Sequence, residues 1–76
     1  MKGHVLAELP AGAEGTVAGI DASDPARIHR LASLGILPGA RIRLVRSGAV
    51  FLAVLDGSQV AFDREVARSI WVHSGK

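Results

Sequence analysis

The chain has 76 residues, of which 49% are hydrophobic and 4% aromatic, and it contains no cysteine. That length suits one small domain spanning the whole chain and is too short for two, while the missing thiols exclude disulfide frameworks, thiolate zinc sites and cysteine nucleophiles. Nine Lys and Arg against seven Asp and Glu leave a formal charge of +2, weaker than the concentrated basic stripe of a dedicated nucleic-acid binder.

The N-terminal MKGHVLAELP has no apolar stretch of signal-peptide length before Pro10, so a cytoplasmic location is expected. A helical turn fits around Val5 to Leu9. The segment Glu14 to Ile20 (EGTVAGI) reads as a strand, although Gly15 and Gly19 weaken it. The clearest helix is SDPARIHRLASLG. Ser23 or Asp24 caps its start, Pro25 suits its first turn, and Gly35 supplies a left-handed stop. Ile28, Leu31 and Ala32, with Leu34 flanking, form its expected buried stripe, leaving Arg27 and Arg30 toward solvent or a partner.

From Arg41 the period changes to two. Ile42 and Leu44 alternate with Arg41 and Arg43, Ser47-Gly48 makes a turn, Ala49 to Leu55 is a strand, Asp56-Gly57 signals a hairpin, and Val60 and Phe62 alternate with polar or small neighbours. A single helical turn fits between Arg64 and Ser69, and Ile70 to His73 forms a last strand. The seven-residue apolar run from Ala49 to Leu55 is the longest in the chain, far from the ~20 residues of a spanning helix, so no membrane insertion is expected. The expected fold is mainly β: a five-stranded small barrel, with one short helix between its first and second strands plugging an opening and a helical turn before the last strand.

The run Arg30 to Val45 (RLASLGILPGARIRLV), preceded by GAEGTVAGI and followed by a strand pair and REVARSIWV, resembles the FeoA family, small cytosolic proteins of bacterial ferrous-iron uptake with SH3-like barrels. The resemblance extends from Leu6 to Val72. Its most specific residues are Arg30-Leu31, Leu34-Gly35-Ile36 and Pro38-Gly39, all explicable as fold-makers: Gly35 turns the chain at the helix end, and Pro38-Gly39 aims Ile42 and Leu44 inward. The resemblance implies a non-enzymatic module that docks on the cytosolic part of a FeoB-like transporter, which contains a GTPase domain. A related domain forms the C-terminal part of iron- and manganese-dependent repressors, but no DNA-binding helix pair precedes this one, so a free-standing protein is expected.

Residue chemistry agrees with a module lacking catalysis, cofactor or metal. His4, His29 and His73 are far apart and form no paired-ligand motif; a metal would need them to converge with carboxylates such as Asp63 or Glu65. Exposed histidines are the simpler reading. Ser23 and Asp24 near His29 read as helix caps, and Gly12 to Gly15 lacks the lysine of a phosphate loop.

Strand parity points instead to a surface. With Phe51, Ala53 and Leu55 facing inward against Val60 and Phe62, the outward row is Val50, Leu52 and Val54, positions where FeoA-like proteins commonly carry charge. Ile70 and Val72 point inward and leave Trp71 outside, expected near that row. The candidate contact is therefore Val50, Leu52, Val54 and Trp71 with Arg27 and Arg30 as its rim, binding the transporter or a second copy of the chain. The competing assignment is intramolecular, with Val5 to Leu9 or the helix covering the row. Other readings are a nucleic-acid-binding barrel using Arg41, Arg43 and Arg46, disfavoured by the shortage of aromatic platforms, and a metal-sensing domain like the repressor C-termini.

Overall fold

A computed structural model describes residues 3–21 and 23–74. Six strands form one antiparallel sheet: β1 (His4–Val5), β2 (Glu14–Ile20), β3 (Arg41–Arg46), β4 (Val50–Leu55), β5 (Ser58–Asp63) and β6 (Ile70–Ser74), in the spatial order β1-β6-β2-β3-β4-β5. The count exceeds the expected five because His4 and Val5 pair with Val72 and Trp71. Two residues are too few for an alternating pattern, so this strand exists only through its partner. The sheet is also not closed: β1 and β5 are its two edges.

Helix α1 (Pro25–Ser33) starts as its sequence requires, with the Asp24 carboxylate accepting from the Ala26 N–H at 3.0 Å and Pro25 in the first turn. Its end is a Schellman motif. The Ile36 N–H donates to the Leu31 carbonyl at 2.9 Å and the Gly35 N–H to that of Ala32 at 3.0 Å, with Gly35 at φ +93°. Leu37 to Ala40 then forms a turn closed by a 3.0 Å bond from the Ala40 N–H to the Leu37 carbonyl, with Gly39 at φ +96° following Pro38. That turn is fastened to β2 in both directions: the Gly39 N–H donates to the Val17 carbonyl at 2.7 Å, and the Val17 N–H to the Ala40 carbonyl at 2.8 Å.

The expected stripe on α1 is corrected by the structure. Leu31 is buried, but Ile28 and Leu34 are 39% and 44% exposed. The helix makes few contacts with the strands, and its one buried residue is the one that anchors the Schellman turn. The element packed against β4, β5, β6 and the 3-10 turn Leu6–Glu8 is the short helix α2 (Arg64–Arg68). Asp63 caps α2, accepting from the Val66 N–H at 2.9 Å. Leu6 and Ala67 carry these two pieces into the core.

The meander follows the sequence closely. Asp56 (φ 52°) and Gly57 (φ 84°) both occupy the left-handed region and join Leu55 to Ser58 in a two-residue hairpin. Phe51 and Phe62 sit directly opposite each other, their rings stacked with centroids 6.2 Å apart. Phe51, Ala53, Leu55, Phe62, Ile70 and Val72 are all buried, as parity requires, while Val60 is partly buried against them. Those residues do not suffice alone for the interior; Leu6, Val17, Leu31, Ile36, Ile42, Leu44 and Ala67 complete it.

Gly15 in β2 has a steric duty. A Cβ there would overlap the His73 carbonyl oxygen and the Val72 side chain of β6, so only glycine lets the strands pair at this register. Gly15→Ala should destabilise the fold by about 2 kcal/mol, and Gly35→Ala by about 1 kcal/mol through its positive φ. Urea unfolding followed by circular dichroism measures both, and the larger loss is expected at Gly15.

Candidate interaction surface

The two faces of β4 differ as their residues alternate. Phe51, Ala53 and Leu55 are buried, Val50 is 56% exposed, and Leu52 and Val54 are half-buried. The neighbours across the ladder explain that partial cover. Arg43 of β3 stands opposite Val54, Arg46 opposite Leu52, and on the other side Ala61 and Gln59 of β5 face Leu52 and Val54. Arginine stems cover aliphatic surface while their guanidinium groups remain in water. A register shift between Leu44 and Arg46 displaces Val45, which is 40% exposed. The N-terminal 3-10 turn packs on α2 and β6 instead of covering this row.

The expected rim is only part of what surrounds the row. Arg27 and Arg30 of α1 lie beyond β5, lining a shallow depression with Leu31, Leu34, Ala61 and Asp63. Arg27 also reaches Glu65 of α2 at 3.9 Å. Arg43 and Arg46 flank the row more directly, from β3. The sequence assigned them to a separate basic strand because alternation does not give the register between strands, and for Arg46 because the displaced Val45 sets which residue meets Leu52. Arginines therefore stand on both sides of an aliphatic strip. Arg41, one step further along β3, pairs with Glu14 of β2 at 3.7 Å.

Trp71 does not join this strip. It is outside, as expected, and 39% exposed, but β2 and β3 separate its strand from β4. At about 4.8 Å per strand spacing, this puts roughly 14 Å of sheet between them. Parity assigns a residue to a face, whereas strand order decides its neighbours on that face.

The other named groups are dispersed. His4 and His29 are exposed and His73 is half-buried, so the expectation of three exposed histidines holds for two. Asp63 serves as a cap and Glu65 faces Arg27. Among the described residues no three His, Asp or Glu side chains gather as metal ligands would. Phe51 and Phe62 are interior, so neither provides a stacking platform beside Arg41, Arg43 and Arg46. Arg64 lies over the Phe51 ring, 5.6 Å from its centroid. No helix among the described residues is long and apolar enough to cross a membrane.

A bent, open six-stranded antiparallel sheet with a helical turn packed against its inner face defines a small β domain of the SH3-like kind. The structure of Stenotrophomonas maltophilia FeoA complexed with zinc, described as a procaryotic SH3 domain protein, is similar at 26% identity and a TM-score of 0.78, over 90% of this chain and 86% of that one. The sequence profile of the FeoA domain matches residues 4–74, and the chain belongs to that family. Membership implies an accessory role in ferrous iron transport.

The solution structure of the FeoA protein from Chlorobium tepidum is similar at 29% identity and a TM-score of 0.83, over 93% of this chain and 70% of that one. A manganese-dependent transcriptional repressor in complex with manganese is similar at 29% identity and a TM-score of 0.92, but this chain spans only 37% of its length. No curated protein sequence matches the chain.

The position of Leu52 on the outer face makes a direct prediction. Leu52→Asp should leave the protein folded, at a cost of about 1 kcal/mol, whereas Phe51→Ala, one residue away and buried, should lose about 3–5 kcal/mol. Thermal unfolding by circular dichroism compares them. Loss of folding in Leu52→Asp would make the outer face part of the core.

Proposed function

We propose that the chain is a non-enzymatic, cytoplasmic accessory protein of bacterial ferrous iron uptake that docks on the cytosolic part of a FeoB-like membrane transporter. The observation that carries this reading is the aliphatic strip Val50, Leu52 and Val54 on the outer face of β4, with arginines on either side. Aliphatic strand residues left partly in water contribute little to a monomer, and an apolar centre with a charged border is the ordinary anatomy of a protein interface. Arg27, Arg30, Arg43 and Arg46 favour an acidic counterpart on the transporter and would steer encounter more than they hold the complex.

Docking alone does not regulate. To influence transport, the module must bind one state of the transporter more tightly than another, shifting the balance by the ratio of those affinities. The nucleotide-dependent conformations of a GTPase domain provide such states.

The test is binding of the purified protein to the cytosolic region of a FeoB-like transporter in nucleotide-free, GDP-bound and GTP-analogue-bound forms, measured by calorimetry. Leu52→Asp should weaken the complex by about tenfold or more, and a Arg43→Ala/Arg46→Ala double variant should slow association and reduce its salt dependence. Failure to bind in every nucleotide state overturns the reading. Gel filtration with light scattering on the same variants distinguishes self-association, in which the wild-type chain elutes as an oligomer that Leu52→Asp dissociates.

A further inference from the structure

The surroundings of Trp71 form a second, separate feature. Pairing between β2 and β6 shifts between Val17 and Gly19, so Ala18 is the extra residue of a bulge and Gly19 arrives directly opposite Trp71. A cross-strand side chain there would cover the indole; glycine leaves it partly exposed. Unlike Gly15, Gly19 has no close neighbour that demands its small size, since a Cβ built on it would meet nothing within 4 Å. On the far side Gly3 lies close enough that a Cβ would be 3.7 Å from the indole Cε3. The result is an open depression of about 500 Å³ lined by Gly3, Ala18, Gly19, Ile20, Asp21 and Trp71.

Among the described residues its one ionisable lining residue is acidic, in a chain whose formal charge is +2. The Asp21 backbone N–H donates to the Ser69 carbonyl at 2.7 Å, fixing the residue at the end of β2. Its carboxylate takes part in neither of the ion pairs among the described residues, Arg27–Glu65 and Arg41–Glu14. We propose that this depression binds a cationic side chain, a lysine or arginine presented by an extended segment of a partner protein, with the Trp71 indole face beneath the cation and Asp21 as its counter-charge. An exposed indole attracts a cation through its quadrupole, and a carboxylate adds a charge-assisted hydrogen bond. An anionic occupant would be repelled by Asp21, and a purely apolar one would strip water from that carboxylate without replacing its hydrogen bonds.

This site is distinct from the proposed docking strip, since β2 and β6 carry it and β3 lies between them and β4. Either can fail without the other. Trp71 is the chain's only tryptophan and there is no tyrosine, so intrinsic fluorescence reads this depression alone.

The experiment is titration of the full chain with the acetylated, amidated peptide Ala-Arg-Ala-Arg-Ala, with Ala-Glu-Ala-Glu-Ala as control, following tryptophan emission. The expected result is a saturable change with the arginine peptide only. Asp21→Asn should weaken it about five- to tenfold. Gly19→Val should abolish it while the circular dichroism spectrum stays unchanged, because the Cβ has room and the branched side chain beyond it would cover the indole opposite. If Gly19→Val fails to fold, the exposed Asp21→Asn carries the comparison by itself. The proposal is overturned if emission does not saturate up to about 10 mM peptide, if the glutamate peptide acts equally, or if Asp21→Asn binds as wild type does. Emission that shifts with protein concentration alone assigns the depression to a second copy of the chain, and that too overturns it.

Discussion

The reversal from Leu31 to Ala40 is the constraint on which the remaining structure depends. In ten residues it ends a helix, buries two side chains and delivers the chain to β3 in register with β2. The Schellman motif joins Leu31 to Ile36, placing both in the core, and the Pro38-Gly39 turn hydrogen-bonds on either side of Val17. Helix α1 is too short to stand alone and contributes little else to the interior. Its role is to bring Leu31 to the point where this reversal can lock.

Once β3 is set against β2, the meander follows from local chemistry. The Asp56-Gly57 turn fixes the β4–β5 register, alternation separates the faces, and Phe51 meets Phe62. The sheet remains open between β1 and β5, and the pieces that complete the core there are small: Leu6 from a 3-10 turn and Ala67 from α2. A chain this short cannot spare a full layer of helices, so it covers its interior with single turns. That economy also leaves the outer face of the sheet uncovered.

The uncovered face holds two chemically different regions. Around β4 it is aliphatic with arginines on both flanks, a surface suited to an acidic partner. Around Trp71 it is aromatic with a carboxylate, a surface suited to a basic one. Both arise from departures from a plain sheet: the displaced Val45 that brings Arg46 beside Leu52, and the bulge at Ala18 that brings Gly19 beside Trp71. A partner contacting both regions would need an acidic group beside the β4 strip and a basic one beside Trp71, a geometric requirement that would add to specificity.

By itself the sequence determined the family, the capped start of α1, the Gly35 and Pro38-Gly39 turns, the Asp56-Gly57 hairpin and which residues of the meander are buried. These are local properties: dihedral freedom, side-chain capping and a period of two act over a few residues and need no distant partner. It also located the aliphatic row on β4. Tertiary structure alone decided the rest. His4 and Val5 became a strand because β6 offered an edge, Ile28 and Leu34 stayed exposed because α1 packs only lightly on the strands, and Gly15 proved a point of close approach between β2 and β6. Trp71 was separated from Val50, Leu52 and Val54 because spatial strand order is not chain order, and bulges changed which arginine stands beside which aliphatic residue. The alternation of a strand says which face a side chain takes; only the assembled sheet says which side chain stands next to it.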